Sequence, residues 1–223
     1  YKRKRQHECG KVRAFSFHLY DMIQVEVRRV IAMCEEVKKY KQEHNDNFDN
    51  YFNLKEIDND AQKLLTMFYQ NPDYHLRNTK ATPIIEIAKL MGFRIFTAKF
   101  KDRTLSGTIG ISDELKGKYG GNKVIILNNQ DTDKHILFTL AHEIAHYIFD
   151  YKKEAIGYSN TYRTNEARTD REQRANRFAA AFLMPKEKFI SVFLHYQDIA
   201  YLSEYFNVPE AAVKLRIQEL ELA

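Results

Sequence analysis

The stretch at residues 137–149, LFTLAHEIAHYIF, sets two histidines and a glutamate inside an otherwise apolar run. The run carries no glycine or proline and reads as part of a helix over about 133–150 that is buried on nearly every side. An imidazole or a carboxylate buried without a partner costs several kcal/mol. A fold that contains this helix must therefore bring something to His142, Glu143 and His146 that makes their burial tolerable.

His142 and His146 are four residues apart, so on a helix they project from one face, one turn from each other. Two imidazoles at that spacing can grip a single metal ion. Glu143 lies roughly 100° further round the helix, where it can reach a water on the metal without ligating the metal itself. This is the HExxH arrangement of zincins, here His142-Glu143-Ile144-Ala145-His146. Zinc lowers the pKa of a bound water to about 7, and a neighbouring glutamate takes its proton as the water attacks a carbonyl. The plainer alternative is a buried helix with two hydrogen-bonded histidines and an incidental glutamate. A shared divalent ion removes the burial conflict more completely.

A catalytic zinc takes a third protein ligand and keeps one position open. The stretch 170–185, DREQRANRFAAAFLMP, reads as the tail of a helix over about 165–183, with Ala175, Phe178, Ala179 and Phe182 facing inward. Glu172 precedes that apolar face, and Asn176 lies four residues on over the same face. Glu172 is the expected third ligand, with Glu166 and Asp170 as substitutes, and Asn176 is placed to orient one of the ligands. The plainer reading makes Glu172 one charge of a solvated face, paired with an arginine.

The remainder of the chain predicts an α+β fold. It comprises a small antiparallel three-stranded sheet packed on a mainly helical zincin-like body, closed by a C-terminal helix-turn-helix-like pair. Residues 12–19 alternate like a short strand, and Asp21 caps a helix carrying Ile23, Val27, Val30, Ile31 and Cys34. The polar cluster at 44–50 reads as a linker. Ile57, Ala61, Leu64, Leu65 and Phe68 mark another helix. Thr82-Pro83 offers a capping hydroxyl and a first-turn proline for a helix buried through Ile84, Ile87, Ala88 and Met91, with Gly92 as its left-handed stop. Strand patterns follow at 93–100, 107–111 and 123–128, separated by short turns that favour an antiparallel meander. A polar loop at 150–164 follows the HExxH helix, and a further helix opens at Pro185.

The final pair, about 199–206 and 209–221, places Ile199, Leu202, Phe206, Val208, Val213, Leu215 and Ile217 inward. Glu210, Lys214, Arg216 and Gln218 are then expected to face out, where they could meet DNA. Pro209 at the start of the second helix, and acidic residues among the outward ones, favour a hairpin that packs on the catalytic body instead. The expected domains are an unassigned basic tail and helical extension at 1–50, a peptidase domain at 51–197 and the terminal helices at 198–223.

Composition narrows the setting. A chain of 223 residues suffices for one sizeable domain, or one with a small appendage. No apolar run approaches the ~20 residues that span a bilayer. The basic start lacks the apolar stretch of a signal peptide. Cys9 and Cys34 are too few for a disulfide framework, so a reducing, cytoplasmic location is expected. The formal charge of +5 is partly gathered in Lys2, Arg3, Lys4 and Arg5, which read as a solvated tail before a nucleic-acid contact.

Three blocks, over roughly 55–221, resemble the ImmA/IrrE metallopeptidases. They are ILNNQDTDKHILFTLAHEIAHYIF, EQRANRFAAAFLMP and LSEYFNVPEAAVKLRIQEL, and Leu105-Ser106-Gly107 also fits. The resemblance implies a gluzincin-like site with His142, His146 and Glu172 on one Zn2+ ion and Glu143 as general base. The ligand types alone also admit iron, cobalt or manganese. It further implies an intracellular, site-specific endopeptidase whose partner is a protein substrate, a helix-turn-helix repressor of a mobile element or stress response. DNA is a lesser expected partner, and no membrane is expected. Substrate is expected along an exposed edge of the 123–128 strand. The rival function is a non-catalytic regulator that binds a repressor or DNA and keeps zinc as a structural staple. Glu143 separates the two, since a structural site needs no base. For the oxyanion, Tyr147, Tyr151, Tyr158, Tyr162 and His135 are all within reach along the sequence.

Overall fold

The computed structural model describes residues 54–71, 76, 79–150 and 170–222. The strand expected at 12–19, the helix after Asp21, the linker at 44–50 and the 151–164 part of the polar loop lie outside the described residues, as do Glu166 and the side chain of Asp170.

Helix α1 (Leu54–Gln70) forms where the apolar residues recur at helical spacing. Ile57, Ala61, Leu64, Leu65 and Phe68 are all buried, as that spacing requires. Helix α2 (Ile84–Leu90) buries Ile84, Ile87 and Ala88, and Gly92 ends the turn at φ +87°. Its start differs from expectation. Pro83 holds the capping position without a side-chain cap, and the Thr82 hydroxyl instead donates to the Phe182 carbonyl at 3.0 Å. That hydroxyl ties two distant segments together.

The strands are β1 (Arg94–Ala98), β2 (Gly107–Ile111) and β3 (Lys123–Asn128), with a short helix α3 (Leu115–Tyr119) in the segment expected to be a plain turn. The sheet is mixed, which corrects the antiparallel meander. Its order is β1-β3-β2, with β3 parallel to β1 and antiparallel to β2. The reason lies in the strands' chemistry. KVIILN is almost continuously apolar and buries Val124, Ile125 and Leu127, as a central strand must. β1 leaves Arg94, Phe96 and Thr97 exposed and suits an edge. The expected substrate edge on β3 is therefore overturned, because both sides of β3 are already paired.

Helix α4 (Asp133–Asp150) carries the HExxH residues and is buried continuously from Thr139 to Ile148. It packs against β2, β3 and α2 on one side and against helix α5 (Asp170–Leu183) on the other. A helix enclosed in this way needs apolar residues all round, which accounts for its sequence. Where α4 crosses α5, Phe149 meets Phe178 edge-on at 5.3 Å and Phe178 stacks on Phe182 at 5.4 Å. Each fully buried phenylalanine stabilises the crossing by about 1.5–3 kcal/mol.

Helix α6 (Lys186–Tyr196) follows Pro185, and α7 (Ile199–Phe206) and α8 (Glu210–Glu219) form the terminal pair. Asp198 caps α7 by accepting from the Tyr201 amide at 2.8 Å, and Asn207 turns the chain at φ 54°. Leu202, Phe206, Val208, Val213 and Ile217 are buried as expected. Two residues of α8 exchange their expected places. Leu215 is exposed, and Arg216 is buried. The inward stripe of α8 is Ala212, Val213, Arg216 and Ile217, so the helix turns its guanidinium into the body. There Arg216 Nε donates to the Met184 carbonyl at 3.2 Å, its terminal nitrogens pair with Asp58 of α1, and Glu219 lies 3.5 Å away. Arg216 is thus withdrawn from any DNA-facing surface.

Candidate metal centre

The i, i+4 spacing on α4 points both imidazoles at α5. His142 Nε2 and His146 Nε2 are 2.9 Å apart. From α5, Glu172 brings Oε2 to 3.1 Å from His142 Nε2 and Oε1 to 3.2 Å from His146 Nε2. The structure therefore brings together His142, His146 and Glu172, with donor atoms all within 4.8 Å of one another. Both histidines are buried, and Glu172 is slightly open to solvent.

The far nitrogen of each ring decides what the near one offers. His142 Nδ1–H donates to Asn176 Oδ1 at 2.8 Å, and His146 Nδ1–H donates to Asp150 Oδ2 at 2.6 Å. With the proton on Nδ1, each Nε2 presents a lone pair. Two lone pairs and a carboxylate then converge on one point, an arrangement that repels itself without a cation at its centre. Two imidazoles and a carboxylate suit zinc and other borderline divalent ions. Bonds of ~2.0–2.1 Å in a tetrahedron put ligand atoms roughly 3.3 Å apart, so the observed spacing needs only a few tenths of an ångström of spreading. The residues fit the ion, and three ligands leave a fourth position for solvent.

The electrostatics say the same. Burial pulls the His146 imidazole toward neutrality, yet the hydrogen bonds to Asp150 and Glu172 and the charges of Glu143 and Glu172 outweigh it and raise its pKa to about 9. The smallest cation that fits the cluster is a proton, and His146 holds one firmly. The Glu172 carboxyl is kept well below the usual range by hydrogen bonds from His142 and His146, against the opposing effect of burial. For Asp150, burial would raise the carboxyl, but the His146 hydrogen bond and the charges of Arg174 and Arg171 hold it below its ordinary value.

Glu143 stands on the adjoining face of α4, near enough for its charge to act on His146. It is buried against β2, where a Cβ on Gly107 would come within 3.1 Å of Glu143 Oε1 and 2.5 Å of Thr139 Cγ2. Only glycine lets the strand come this close. Tyr147, one turn past Glu143, also faces the sheet. Its hydroxyl accepts from Lys123 Nζ at 2.8 Å, and its ring meets Phe93 edge-on. Burial lowers the Lys123 pKa to about 8. His135 Nε2 sits 3.2 Å from the Ser106 hydroxyl, near the start of α4. Tyr151, Tyr158 and Tyr162, the other candidates for the oxyanion, lie outside the described residues.

Three residues were not anticipated. Asp150 falls at the start of a polar stretch that reads as loop, although its i+4 spacing from His146 was a usable signal. Arg174 pairs with Asp150 and lies 5.1 Å from the Phe149 ring. Gly107 belongs to Leu-Ser-Gly and opens the strand pattern at 107–111, and its closeness to Glu143 is a contact between distant segments.

Residues 88–218, more than half of the chain, match the profile of the IrrE N-terminal-like domain, a peptidase family, and the match takes in all the residues of the cluster. No curated protein matches the chain. Among solved structures, a Mycobacterium tuberculosis transcriptional regulator is similar at TM-score 0.48 and 20% identity, over 82% of this chain and 51% of that one. The chain thus spans about half the length of that protein.

Proposed function

The chain belongs to the IrrE N-terminal-like domain family of peptidases, and from that premise we propose that it is a zinc-dependent endopeptidase acting on a protein substrate in the cytoplasm. The observation that carries the reading is the convergence of His142 Nε2, His146 Nε2 and the Glu172 carboxylate, with Glu143 next in sequence to His142. A divalent ion held by His142, His146 and Glu172 would supply Lewis acidity and positive charge at the scissile carbonyl. Glu143 would take the proton of the attacking water and return it to the amine that leaves as the C–N bond breaks. Asn176 and Asp150 keep the two rings turned toward α5. Substrate in extended form adds along the outer edge of β2 through main-chain hydrogen bonds, where the strand lies against Glu143 at Gly107.

The substrate we favour is a helix-turn-helix repressor, as the family resemblance suggests. A cytoplasmic setting accords with the two cysteines, and no described helix is long and apolar enough to cross a membrane. The test mixes the zinc-loaded chain with candidate repressors, with and without chelator, beside a Glu143→Gln variant. The expected result is a single cut that chelator abolishes and that the variant makes ~10²–10⁴-fold more slowly. Equal cutting by wild type and variant, or cutting indifferent to chelator, would contradict the proposal.

A further inference from the structure

The two imidazoles are oriented by different chemistry. Behind His142 stands the neutral amide of Asn176, and behind His146 stands the Asp150 carboxylate. Asp150 is the last residue of α4, one turn beyond His146 on the same face. Its Oδ2 faces the imidazole, while its Oδ1 pairs with the guanidinium of Arg174 and lies 3.5 Å from Arg171 Nε. Asp150 and Arg174 are largely shielded from solvent, whereas Arg171 is exposed. Arg174 sits on α5 between Glu172 and Asn176. Helix α5 therefore touches the cluster in three ways: a carboxylate at its centre, an amide behind one ring, and a guanidinium behind the carboxylate that serves the other.

A carboxylate that accepts an Nδ1–H draws positive charge toward that side of the ring and enriches the Nε2 lone pair, more than a neutral amide does. The guanidinium fixes the carboxylate's rotamer from the opposite side, so it cannot swing out to water. We propose that Asp150, locked by Arg174, is a positioning residue that makes His146 the stronger of the two nitrogen donors and sets how tightly the His142–His146–Glu172 cluster holds a divalent ion. This inference rests on the metallopeptidase reading and adds to it the residues that govern metal retention.

The test measures zinc affinity of the full chain by competition with a chromophoric chelator, and records the visible spectrum of the cobalt(II) form. Asp150→Asn keeps the size and the acceptor oxygen but removes the charge, and it should weaken zinc ~10–100-fold and shift the cobalt bands. Arg174→Met should weaken zinc by about tenfold, and Arg174→Lys should recover most of that loss. The Arg174 pair keeps the test decisive should Asp150→Asn fail to fold. Zinc affinity of Asp150→Asn and Arg174→Met within about twofold of wild type, with unchanged cobalt spectra, overturns the inference and leaves the metallopeptidase reading standing. A wild-type chain that takes up neither ion overturns both.

Discussion

Helix α5 lies between two buried groups of charged residues, and they differ in a telling way. Toward α1 and α8, Arg216 and Arg177 face Asp58 and Glu219, so positive and negative side chains balance one for one. Toward α4, the carboxylates of Glu143, Glu172 and Asp150 surround two histidines, and Arg174 and the exposed Arg171 reach Asp150. Where this protein buries charge to hold its helices together, its own chain supplies the counter-charge. At the histidines two imidazole nitrogens and the Glu172 carboxylate converge on one point, a geometry that suits a metal ion and not an ion pair.

The largest effect that would break this contrast comes from the balanced group. Arg216→Met takes from Asp58 and Glu219 the buried guanidinium that lies between them and should cost about 3–5 kcal/mol in stability, read from the urea midpoint. Zinc affinity should stay at the wild-type level, and a parallel loss of zinc would show that the two groups are not separate. Acidity probes the other group, with an effect of up to ~3 kcal/mol. The pKa of His146 in the folded chain, about 9, lies above its ordinary 6.5. Its stabilising contribution is thus complete below pH 6.5 and is lost as pH rises through 9. Metal-free protein should therefore lose stability over that window while its zinc affinity climbs, since the ion and the proton compete for one lone pair. A metal-free stability that is flat or rises across the window would contradict this.

The smallest effect concerns the sheet side of α4. Gly107→Ala drives a methyl into Thr139 Cγ2 and toward Glu143 Oε1, and should cost ~1–2 kcal/mol. Adding Thr139→Ser removes the struck methyl and should recover most of the loss in a thermal melt. No recovery would mean that the close approach at Gly107 is relieved in some other way.

How much of this was legible beforehand depends on whether the contacts are local. His142, Glu143 and His146 share one helix, so their spacing in sequence is their geometry in space. Glu172 and Asn176 were legible for the same reason, four apart on an amphipathic helix. Strand order was not, because periodicity says which residues are buried and nothing about neighbours, although the continuous apolar run of β3 already marked a central strand. Arg216 reads as one of the outward polar residues of a helix-turn-helix-like pair, and the partner that lets it be buried, Asp58, is 158 residues away. Asp150 was hidden by its polar successors, which made the end of α4 look like loop.

One coordination site underlies the proposed function, and diffraction at the zinc edge from crystals of the zinc-loaded chain tests it most directly. A single anomalous peak is expected ~2.0–2.2 Å from His142 Nε2, His146 Nε2 and a Glu172 carboxylate oxygen. Zinc bound elsewhere, or at the histidines with Glu172 turned away, would contradict it.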